Sequence, residues 1–443
     1  MEREPPFELA SLKRDWIEGV PGGLFSERVA AWLEDLKATR PGPVLLAEED
    51  GLEFTAVFMA AVYLRRPVVL GNPGWGSVEW SAVAEQLKPA RVVGIAPLEV
   101  GGAVSDLSAG AILIPTGGTS GGVRFAHHDW ATLRVAAEGW LTFAGAGVER
   151  VFCVLPLYHV SGLMQWVRSF IGSIQFAMGT WADIPHFGGG VKQGVVVSLV
   201  ATQLERLLKD AAAVEALRGM EAIYMGGGPM REETAERARA EKLPLVLSYG
   251  MTETGAMVAA LGVEAFMAGA FHAGRALCHA SLSIIDGAGK ICAPGVVGRI
   301  RVASKALFYG YHAVRAEGLR DGGFLTDDAG FLDKDGQLHV VGRIDRLIQS
   351  GGEKVDPLEV EAAMLQVAGV EAALVLGQAD AEWVERVVAF YVAESDLDLS
   401  LPLAGLLAAH KRPKLILRVA ALPLNASGKV DSVKVAALLR AVQ

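Results

Sequence analysis

The first part of the chain alternates short apolar runs with stretches of helical periodicity. Ser26–Leu36 has its apolar side chains at helical spacing, whereas Pro43–Leu46 is a short apolar run typical of a strand. Further strands are predicted at 67–70, 92–95, 112–114, 151–155, 195–199, 222–225 and 245–248, and helices at 55–63, 201–213 and 232–240. This alternation predicts a mostly parallel sheet with helices on both faces.

The pattern changes after about residue 270. Leu282–Ile285, Gly298–Val302 and Gln337–Val341 are separated by Gly/Asp turns, which predicts antiparallel strands or a small barrel. Near Asp345 another unit begins. Asp356 is its first predicted helix cap, because Pro and Glu follow at the first and third helical positions.

In this unit we predict a helix to about residue 366, strands at 372–376, 387–392 and 415–419, and a helical region at 402–410. The whole is an α/β protein of two domains. Residues 1–344 form a large core of mostly parallel sheets and helices with a small β-barrel-like part, and residues 345–443 form a small α+β domain.

Composition narrows the class of protein. Of the 443 residues, 51% are hydrophobic and 21% charged, so the chain can bury a large core. The net charge of −9 argues against nucleic acid as a main partner. Cys153, Cys278 and Cys292 show no Cys-x-x-Cys spacing, and no apolar run approaches the roughly 20 residues of a membrane helix. We therefore expect a cytoplasmic protein without membrane insertion.

One glycine-rich segment has the composition of a phosphate-binding loop. The apolar run 111–114 leads into Pro-Thr-Gly-Gly-Thr-Ser-Gly-Gly at 115–122, with Arg124 just beyond. Glycine lets backbone N–H groups surround an anion, and hydroxyls add donors. It is not a Walker A loop, which needs Lys-Ser/Thr where Val123 and Arg124 stand. Taken alone, the segment is also compatible with a flexible surface loop.

Six further motifs follow in a fixed order along the chain. They are Pro-Leu-Tyr-His-Val-Ser-Gly at 156–162, Gly-Gly-Gly-Pro-Met at 226–230, Ser-Tyr-Gly-Met-Thr-Glu-Thr at 248–254, Thr-Asp-Asp at 326–328, Gly-Arg-Ile-Asp at 342–345 and Leu-Pro-Leu-Asn-Ala-Ser-Gly-Lys at 422–429. Over about residues 40–435 the series resembles the adenylate-forming superfamily of acyl-CoA synthetases, adenylation domains and luciferases. Segments 71–75, 115–126 and 158–163 are most similar to its ligases for 2-succinylbenzoate, which act in menaquinone and phylloquinone synthesis.

The resemblance implies an ATP site with Mg²⁺. The residues implied to bind ATP are Thr116, Gly117, Thr119, Ser120, Gly121, Arg124, Gly226, Gly227, Gly228, Tyr249, Asp328 and Arg343. Arg124 replaces the usual lysine and keeps its charge. Thr252 would contact the α-phosphate, and Glu253 would hold Mg²⁺, which takes few protein carboxylates beside phosphates. Asp327 replaces a usual glycine, and we assign the ribose contact to Asp328.

The resemblance also implies catalytic and acyl-binding residues. Lys429 would bridge the reacting carboxylate and the α-phosphate, offsetting charge in the transition state. His159 would separate the acyl pocket from the CoA channel, beside Ser161. Asp345 would be the hinge of a mobile C-terminal domain, and the channel for CoA would run along Gly351 and Gly352. From its position after the histidine motif, we assign Arg168 to a second, unreactive carboxylate. The sequence is equally compatible with a surface position for Arg168.

The implied reaction makes an acyl-adenylate from ATP and then a CoA thioester, with CoA as co-substrate. Two alternatives stay open at this point. One is an acyl-CoA synthetase for another aryl or medium-chain acid. The other is a module that loads a carrier protein, for which this chain carries no carrier site of its own. A homodimer is one expected assembly.

Overall fold

The computed structural model describes residues 5–101, 107–117, 123–187, 194–313, 319–320, 323–343, 348–350, 353–380, 383–423 and 431–440. By internal contacts the chain divides into two compact units. Unit 1 comprises residues 1–283, 301–326 and 332–339, and unit 2 comprises residues 284–300, 327–331 and 340–443. The predicted boundary at residues 344 and 345 stays a prediction.

The described residues form these strands: β1 (Val44–Ala47), β2 (Val68–Leu70), β3 (Arg91–Gly94), β4 (Ile112–Gly117), β5 (Val123–His128), β6 (Arg150–Cys153), β7 (Gln175–Met178), β8 (Val195–Leu199), β9 (Ala222–Met225), β10 (Leu245–Met251), β11 (Ala256–Leu261), β12 (Arg275–Ala276), β13 (Ala280–Ile285), β14 (Gly298–Ser304), β15 (Leu319–Arg320), β16 (Gly323–Leu332), β17 (Leu338–Arg343), β18 (Ile348–Ser350), β19 (Glu353–Val355), β20 (Ala372–Asp380), β21 (Val384–Val392) and β22 (Leu415–Arg418).

The helices are α1 (Gly22–Ala38), α2 (Gly51–Tyr63), α3 (Ser77–Gln86), α4 (Trp130–Ala144), α5 (Val160–Gly172), α6 (Ala201–Leu207), α7 (Ala211–Arg218), α8 (Glu232–Ala240), α9 (Val263–Met267), α10 (Pro357–Leu365), α11 (Ser400–Leu406) and α12 (Ser432–Arg440). Short 3₁₀ turns lie at Leu9–Lys13, Trp181–His186, Thr252–Thr254 and Ala409–Lys411.

Unit 1 is built on two mostly parallel sheets. The first has the strand order β3-β1-β2-β4-β5, in which only the last pair is antiparallel. The second has the order β12-β11-β10-β9-β8-β6-β7, parallel from β10 to β7 and antiparallel at β11 and β12. Parallel strands need crossover connections, and helices supply most of them.

The largest core of unit 1 joins side chains from both sheets with those of α1, α2, α4 and α5. A second core covers the opposite face of the seven-stranded sheet with residues of α6 to α9, and a smaller one packs α3 on the first sheet. The strands of the seven-stranded sheet therefore have both faces buried, which explains why they read as continuous apolar runs.

A third sheet has the order β13-β14-β16-β15, with β17 paired to β16. It corresponds to the antiparallel strands or small barrel predicted after residue 270. In unit 2, the sheet β19-β18-β21-β20, with β22 paired to β21, packs against α10 and α11 on one face and α12 on the other. The predicted α/β class, with a large region of parallel sheets and a smaller α+β region, is confirmed.

Most predicted elements lie where the sequence placed them, and some are wrong in detail. The strands at 195–199 and 222–225 and the helix at 232–240 match their predicted bounds, and the Asp356 side chain caps α10. The single helix predicted at 201–213 is wrong: Asp210 accepts from Ala212 N–H and starts a separate helix, α7. The helical region predicted at 402–410 is shorter, because α11 ends at Leu406.

In the described residues, no helix combines the length and hydropathy needed to cross a membrane. The three cysteines are free thiols: Cys153 is buried, Cys278 is exposed and Cys292 is half-buried. Burial raises the pKa of the Cys153 thiol to about 12.

Candidate functional site

The Thr252–Thr254 turn connects β10 to β11 at one end of the seven-stranded sheet. The Thr254 hydroxyl accepts from Met251 N–H at 3.0 Å and lies 2.6 Å from the Ala256 carbonyl oxygen. Gly255 and Ala256 both have left-handed backbones, with φ of 64° and 82°. This conformation is unfavourable for alanine and persists only where surrounding bonds hold it, so the turn is a strongly constrained segment.

The Glu253 side chain is buried and accepts a hydrogen bond from a tyrosine that is distant in sequence. Its residue is 7% exposed, and the Tyr311 hydroxyl donates to Glu253 Oε1 at 2.6 Å. The backbone of Glu253 is also held, because its carbonyl accepts from Phe308 N–H at 2.9 Å. A buried polar group needs hydrogen-bond partners, so Tyr311 both stabilises and orients this carboxyl group.

The carbonyl of Thr252 is bound by a buried histidine. His128 Nε2 lies 2.8 Å from the Thr252 carbonyl oxygen, and His128 Nδ1 lies 3.0 Å from Thr132 Oγ1. A carbonyl only accepts, so the hydrogen-bond pattern assigns the ring proton to Nε2. Burial lowers the pKa of His128 to about 4, so the ring is neutral at physiological pH.

The predicted phosphate loop joins β4 and β5. Thr116 lies opposite Arg124, and Gly117 lies opposite Val123, in an antiparallel pair. The Arg124 guanidinium carbon lies 4.7 Å from the centre of the Tyr311 ring. Arg124 and Glu253 are therefore brought together by a shared neighbour, Tyr311. In the described part of the chain, the buried Arg124 Nε has no hydrogen-bond partner.

Backbone bonds tie β5 to the segment that carries Tyr311. His127 N–H donates to the Gly310 carbonyl at 2.9 Å, Tyr309 N–H donates to the His127 carbonyl at 2.8 Å, and His312 N–H donates to the Phe125 carbonyl at 2.9 Å. The β4–β5 hairpin, the 308–312 segment and the Thr252–Glu253 turn are thus one hydrogen-bonded assembly.

Gly226, Gly227 and Gly228, which the resemblance implies to bind ATP, follow β9 and lie beside β10. Leu247 of β10 pairs with Met225, the last residue of β9, so Gly226 lies near Ser248 and Tyr249 of β10. Gly227 has φ of 81°, which favours glycine, and a Cβ on Gly226 would lie 3.3 Å from Ser248 Oγ. Tyr249 is buried, and its hydroxyl donates to Thr326 Oγ1 at 3.4 Å. The glycine backbone that follows β9, which has no side chains, therefore lies next to the aromatic ring of Tyr249 in β10.

Asp327 and Asp328 lie next to each other on β16 and therefore point to opposite faces of the strand. Asp327 has a side chain 58% exposed and lies 3.0 Å from Arg299 Nη2 and 3.6 Å from Arg343 Nη2. Asp328 is half-buried. The two aspartates thus differ in exposure, and the ribose assignment to Asp328 stays a prediction.

His159 and Arg168 lie at different depths along α5. His159 is exposed at the N-cap, where its carbonyl accepts from Gly162 and Leu163 N–H groups, and Ser161 is half-buried in the first turn. Arg168 is only 6% exposed. Nine residues at 1.5 Å per residue separate the two by about 13 Å along the helix. The structure does not bring these two predicted acyl-site residues into contact.

The Arg168 guanidinium occupies an apolar, aromatic environment. Its carbon lies 5.0 Å from the centre of a Trp140 ring, and its Nε and Nη2 atoms are buried without hydrogen-bond partners in the described ranges. Burial lowers the pKa of Arg168 to about 10, so it stays charged at neutral pH. Burial and this neighbouring cation lower the pKa of His279 to about 4. Arg168 is a buried cation that an anion would stabilise.

Two family models match the chain. The model described as AMP-binding enzyme matches residues 103–312, and the model described as AMP-binding enzyme C-terminal domain matches residues 359–429. A 2-succinylbenzoate–CoA ligase of Enterococcus faecalis is 32% identical over 337 residues, which are 74% of this chain and 69% of that protein. One of Bacillus licheniformis is 35% identical over 334 residues, 72% and 68% of the two chains.

The chain belongs to the AMP-binding enzyme family.

Solved structures show the same fold as this AMP-binding enzyme. An o-succinylbenzoate CoA synthetase from Bacillus subtilis, in complex with its acyl-adenylate intermediate, has a TM-score of 0.82 and 24% identity, and the match covers 96% and 97% of the two chains. ATP-bound MatB from Rhodopseudomonas palustris has a TM-score of 0.84 and 22% identity, covering 99% of each chain. The structures show the shared fold, and the relatives of 32% and 35% identity show that the chain is an AMP-forming acid–thiol ligase.

Several predicted residues of this family member lie outside the described residues. They are Thr119, Ser120 and Gly121 of the phosphate loop, the hinge residue Asp345, Gly351 and Gly352 of the CoA channel, and Lys429. Their roles stay predictions.

The residues present fit a Mg²⁺ ion held mainly by a nucleotide. Tyr311 engages Oε1 of Glu253, and Oε2 has no protein partner among the residues that the structure describes. Those residues also contain no cluster of three or more His, Cys, Asp or Glu side chains that could hold a metal. One hard carboxylate oxygen, completed by phosphate oxygens and water, is a donor set that Mg²⁺ accepts.

Sequence reasoning missed two side chains of this site, His128 and Tyr311. His127 and His128 stand next to each other without metal-ligand spacing, so the sequence pattern indicates no role for His128. A local signal existed: Asp129 and Thr132 form a capping pattern that starts α4 directly after His128. Tyr311 had no such signal, because its contact with Glu253 joins residues 58 positions apart.

Proposed function

We propose that this enzyme is an ATP-dependent ligase that converts 2-succinylbenzoate to 2-succinylbenzoyl-CoA in menaquinone or phylloquinone synthesis. The observation that carries the proposal is the similarity to ligases of that name from Enterococcus and Bacillus, at 32% and 35% identity. ATP and CoA are its co-substrates, and Mg²⁺ is its cofactor, as in the ATP- and magnesium-bound Bacillus subtilis synthetase.

The reaction has two steps. In the first, an oxygen of the substrate carboxylate attacks the α-phosphorus of ATP, the bond to the bridging oxygen breaks, and pyrophosphate leaves. In the second, the CoA thiolate attacks the acyl carbon, the bond to the AMP oxygen breaks, and AMP leaves. Activation as a mixed anhydride replaces a poor leaving group with a good one.

We assign the first step to the assembly around the Thr252–Glu253 turn. Arg124 and the hydroxyls of the β4–β5 loop bind the outer phosphates, and Thr252 Oγ1 donates to the α-phosphate. Bound at Glu253, Mg²⁺ neutralises phosphate charge. Lys429 contributes a further positive charge where negative charge accumulates in the transition state. Thr252 and Glu253 are held before the reaction by the hydrogen bonds of their turn, so little reorganisation of these two groups opposes it.

The nucleoside is assigned to the neighbouring strand ends. Gly226, Gly227 and Gly228 offer bare backbone to one face of adenine, and the Tyr249 ring lies beside them. Asp328 accepts from the two ribose hydroxyls as a bidentate acceptor, with Arg343 close to the nucleotide. Asp345 serves as the hinge, and residues around Gly351 and Gly352 form the CoA channel in the second step.

We assign the second carboxylate of the substrate to Arg168. Its Nε and Nη2 are buried N–H donors with no protein partner in the described residues, and a carboxylate can accept from both at once. The aromatic ring of Trp140, stacked on the guanidinium, adds apolar surface for the benzene ring. His159 and Ser161, about two helical turns away, then lie toward the reacting carboxylate.

The test of the function is pyrophosphate release with ATP, Mg²⁺ and a panel of carboxylic acids, followed by thioester analysis with CoA. We expect release to depend on 2-succinylbenzoate and its CoA thioester to form. Release with benzoates that lack the second carboxylate would instead identify a synthetase for another acid. Release without transfer to CoA would identify a carrier-loading enzyme.

The test of Arg168 is the substitution Arg168→Met. Loss of a buried, bidentate charge-assisted pair should raise KM for 2-succinylbenzoate by about 100-fold while leaving KM for ATP within about 2-fold. Arg239→Met is the matched control, since Arg239 also stacks on an aromatic ring, 4.7 Å from Phe266, but bonds to backbone carbonyls. Equal increases in both KM values would contradict the assignment.

Assembly and location belong to the same proposal. We place the enzyme in the cytoplasm, supported by its three free cysteines. The homodimer stays a prediction, which light scattering at micromolar concentration tests directly.

A further inference from the structure

His128 connects two parts of the molecule that are far apart in sequence. It is the last residue of β5, the strand that begins immediately after the predicted phosphate loop. Its ring reaches Thr252, which is 124 positions later in the chain, and Nε2 lies 2.8 Å from the Thr252 carbonyl oxygen. The side chain is fully buried. Both nitrogens of a buried imidazole ring need hydrogen-bond partners, and in His128 both have one.

The bond to Thr252 fixes a peptide plane that carries two functional side chains. The Thr252 carbonyl belongs to the peptide unit between Thr252 and Glu253, so its direction sets the relative orientation of both residues. The next carbonyl, of Glu253, is held separately by Phe308 N–H. With His128 on one carbonyl and Phe308 on the next, neither peptide plane of this turn can rotate without breaking a buried bond.

The opposite side of the ring is anchored in α4. His128 Nδ1 accepts from Thr132 Oγ1 at 3.0 Å, and the Thr132 N–H is in turn bound by the Asp129 N-cap at 2.9 Å. The ring is therefore fixed in one tautomer and one orientation. A displacement of β5 caused by the phosphate loop would move the ring with it, and the ring would move the Thr252 carbonyl.

We propose that His128 is a positioning residue that couples the phosphate-loop hairpin to the Thr252–Glu253 turn, so that binding of the outer phosphates of ATP aligns the groups at the α-phosphate. This inference rests on the proposed function only in assigning ATP to the site. His128 contacts no substrate; it acts through the Thr252 carbonyl.

Two substitutions separate the bond to Thr252 from the bond to Thr132. In His128→Gln the side-chain amide nitrogen stands four bonds from Cα, as Nε2 does, and can donate to the Thr252 carbonyl. In His128→Asn the amide stands three bonds from Cα, at the position of Nδ1, and cannot reach Thr252. Glutamine and asparagine are both polar and neutral, and both variants lose the buried ring. A difference between the two variants therefore reports the hydrogen bond to Thr252.

We expect His128→Asn to lower kcat for acid-dependent pyrophosphate release about 10- to 100-fold, because the Thr252 carbonyl keeps only its local donor, Gly255 N–H, and loses the bond that ties it to β5. KM for the carboxylic acid should stay within about 2-fold, since none of the Arg168 contacts involves His128 or its partners. His128→Gln should retain kcat within about 3-fold of the parent, since its hydrogen bond is preserved. A residue that only stabilises the fold would instead lower Tm in both variants and leave kcat per folded molecule unchanged.

The matched control is the neighbouring histidine on the same strand. His127 points to the opposite face, where its Nε2 lies 3.3 Å from Ser108 Oγ. His127→Asn and His127→Gln should both leave kcat and KM for ATP within about 2-fold, as expected for half-buried groups outside the site. Equal kcat in His128→Asn and the parent, or equal loss in His128→Asn and His128→Gln, would overturn the proposal.

ATP binding gives a readout that does not depend on turnover. Calorimetric titration of Mg·ATP into each variant should show weaker binding by about 10-fold in His128→Asn and near-parental binding in His128→Gln. If the parent turns over no acid of the panel, the proposed substrate is wrong, yet the titrations still decide the role of His128. Identical binding in all four variants would refute the coupling.

Discussion

The carboxylates of Glu253 and Asp327 lie in opposite surroundings, although both belong to motifs assigned to the nucleotide. Glu253 is 7% exposed and accepts a 2.6 Å hydrogen bond from a tyrosine hydroxyl. Asp327 has a side chain 58% exposed and is paired with Arg299 and Arg343 at 3.0 and 3.6 Å. The turn around Glu253 is fixed by buried bonds, whereas the Asp327 group is held by exposed ion pairs that contribute little to stability.

The difference indicates that the Thr252–Glu253 turn is rigid, whereas the side chains around Asp327 are adjustable. Groups that must meet charge in a transition state are best fixed beforehand, and the turn of unit 1 satisfies that requirement. In unit 2, the half-buried Arg299 and Arg343 pair with an exposed carboxylate, and such ion pairs fix their partners only weakly. Each of the following predictions breaks one of these two arrangements.

The largest effect is expected from Glu253→Gln. The substitution removes the negative charge of the proposed Mg²⁺ ligand but keeps its shape and the hydrogen bond from Tyr311. The rate of pyrophosphate release should therefore fall about 100- to 1000-fold. Raising the Mg²⁺ concentration should recover part of the loss. Glu264→Gln, on the exposed side of α9, is the control and should match the parent. Full activity in Glu253→Gln would remove Glu253 from the metal site.

The buried arrangement should also be sensitive to acid. Burial holds the pKa of His128 at about 4, below the ordinary value of 6.5 that applies in the unfolded chain. Between these values the unfolded chain binds a proton that the folded chain does not, so stability falls as pH falls. One such group makes unfolding easier by about 2 kcal/mol at pH 5 relative to pH 8.

Urea unfolding of the parent and of His128→Gln at both pH values measures this contribution. The variant has no titrating ring and should lose less stability on acidification, by about 2 kcal/mol. An equal pH dependence in the two proteins would show that His128 is not the group that titrates.

Tyr311→Phe removes the hydroxyl that orients Glu253 and keeps the ring beneath Arg124. The loss of one buried hydrogen bond to a charged group predicts about a 10-fold reduction in kcat and a raised requirement for Mg²⁺. Tyr309→Phe is the matched control on the same segment, because its hydroxyl donates to Asp129 Oδ2 at 2.9 Å and not to the turn. Similar losses in both would point to the segment as a whole and against the Glu253 contact.

The smallest effect is expected from Asp327→Asn. Because its ion pairs are exposed, the substitution should change KM for ATP by less than about 3-fold. Asp328→Asn should raise KM for ATP by about 10-fold, because the proposed ribose contact loses its charge. The reverse order would exchange the roles of the two aspartates and make the exposed group the ribose ligand.

Local patterns predicted the fold better than they predicted the site. Strands such as 195–199 and 222–225 are continuous apolar runs bounded by polar residues, and burial on both faces produces that pattern. The helix at 201–213 was wrong because Asp210, a residue that competes for backbone N–H groups, starts a new helix inside an otherwise helical stretch.

The site residues predicted from sequence, such as Thr252 and Glu253, are those within motifs, and their roles stay predictions. His128 and Tyr311 escaped because their function lies in long-range contacts, and periodicity carries no information about which distant residue a buried ring will meet. The depth of Arg168 was equally hidden. Its position after the histidine motif suggested a pocket residue, but only the packing of α5 against α4 shows that its guanidinium is enclosed.

The unequal surroundings of the cysteines have a practical consequence for following this enzyme in solution. Cys153 is buried, and burial raises its thiol pKa to about 12, so maleimide reagents will not modify it in the folded protein. Cys278 is exposed and adjoins His279, whose titration is perturbed by Arg168. In the Cys292→Ser variant, a fluorescent dye attached to Cys278 would report when a ligand occupies the pocket beside the Arg168 guanidinium. Stopped-flow fluorescence could follow this binding without radioactive nucleotide.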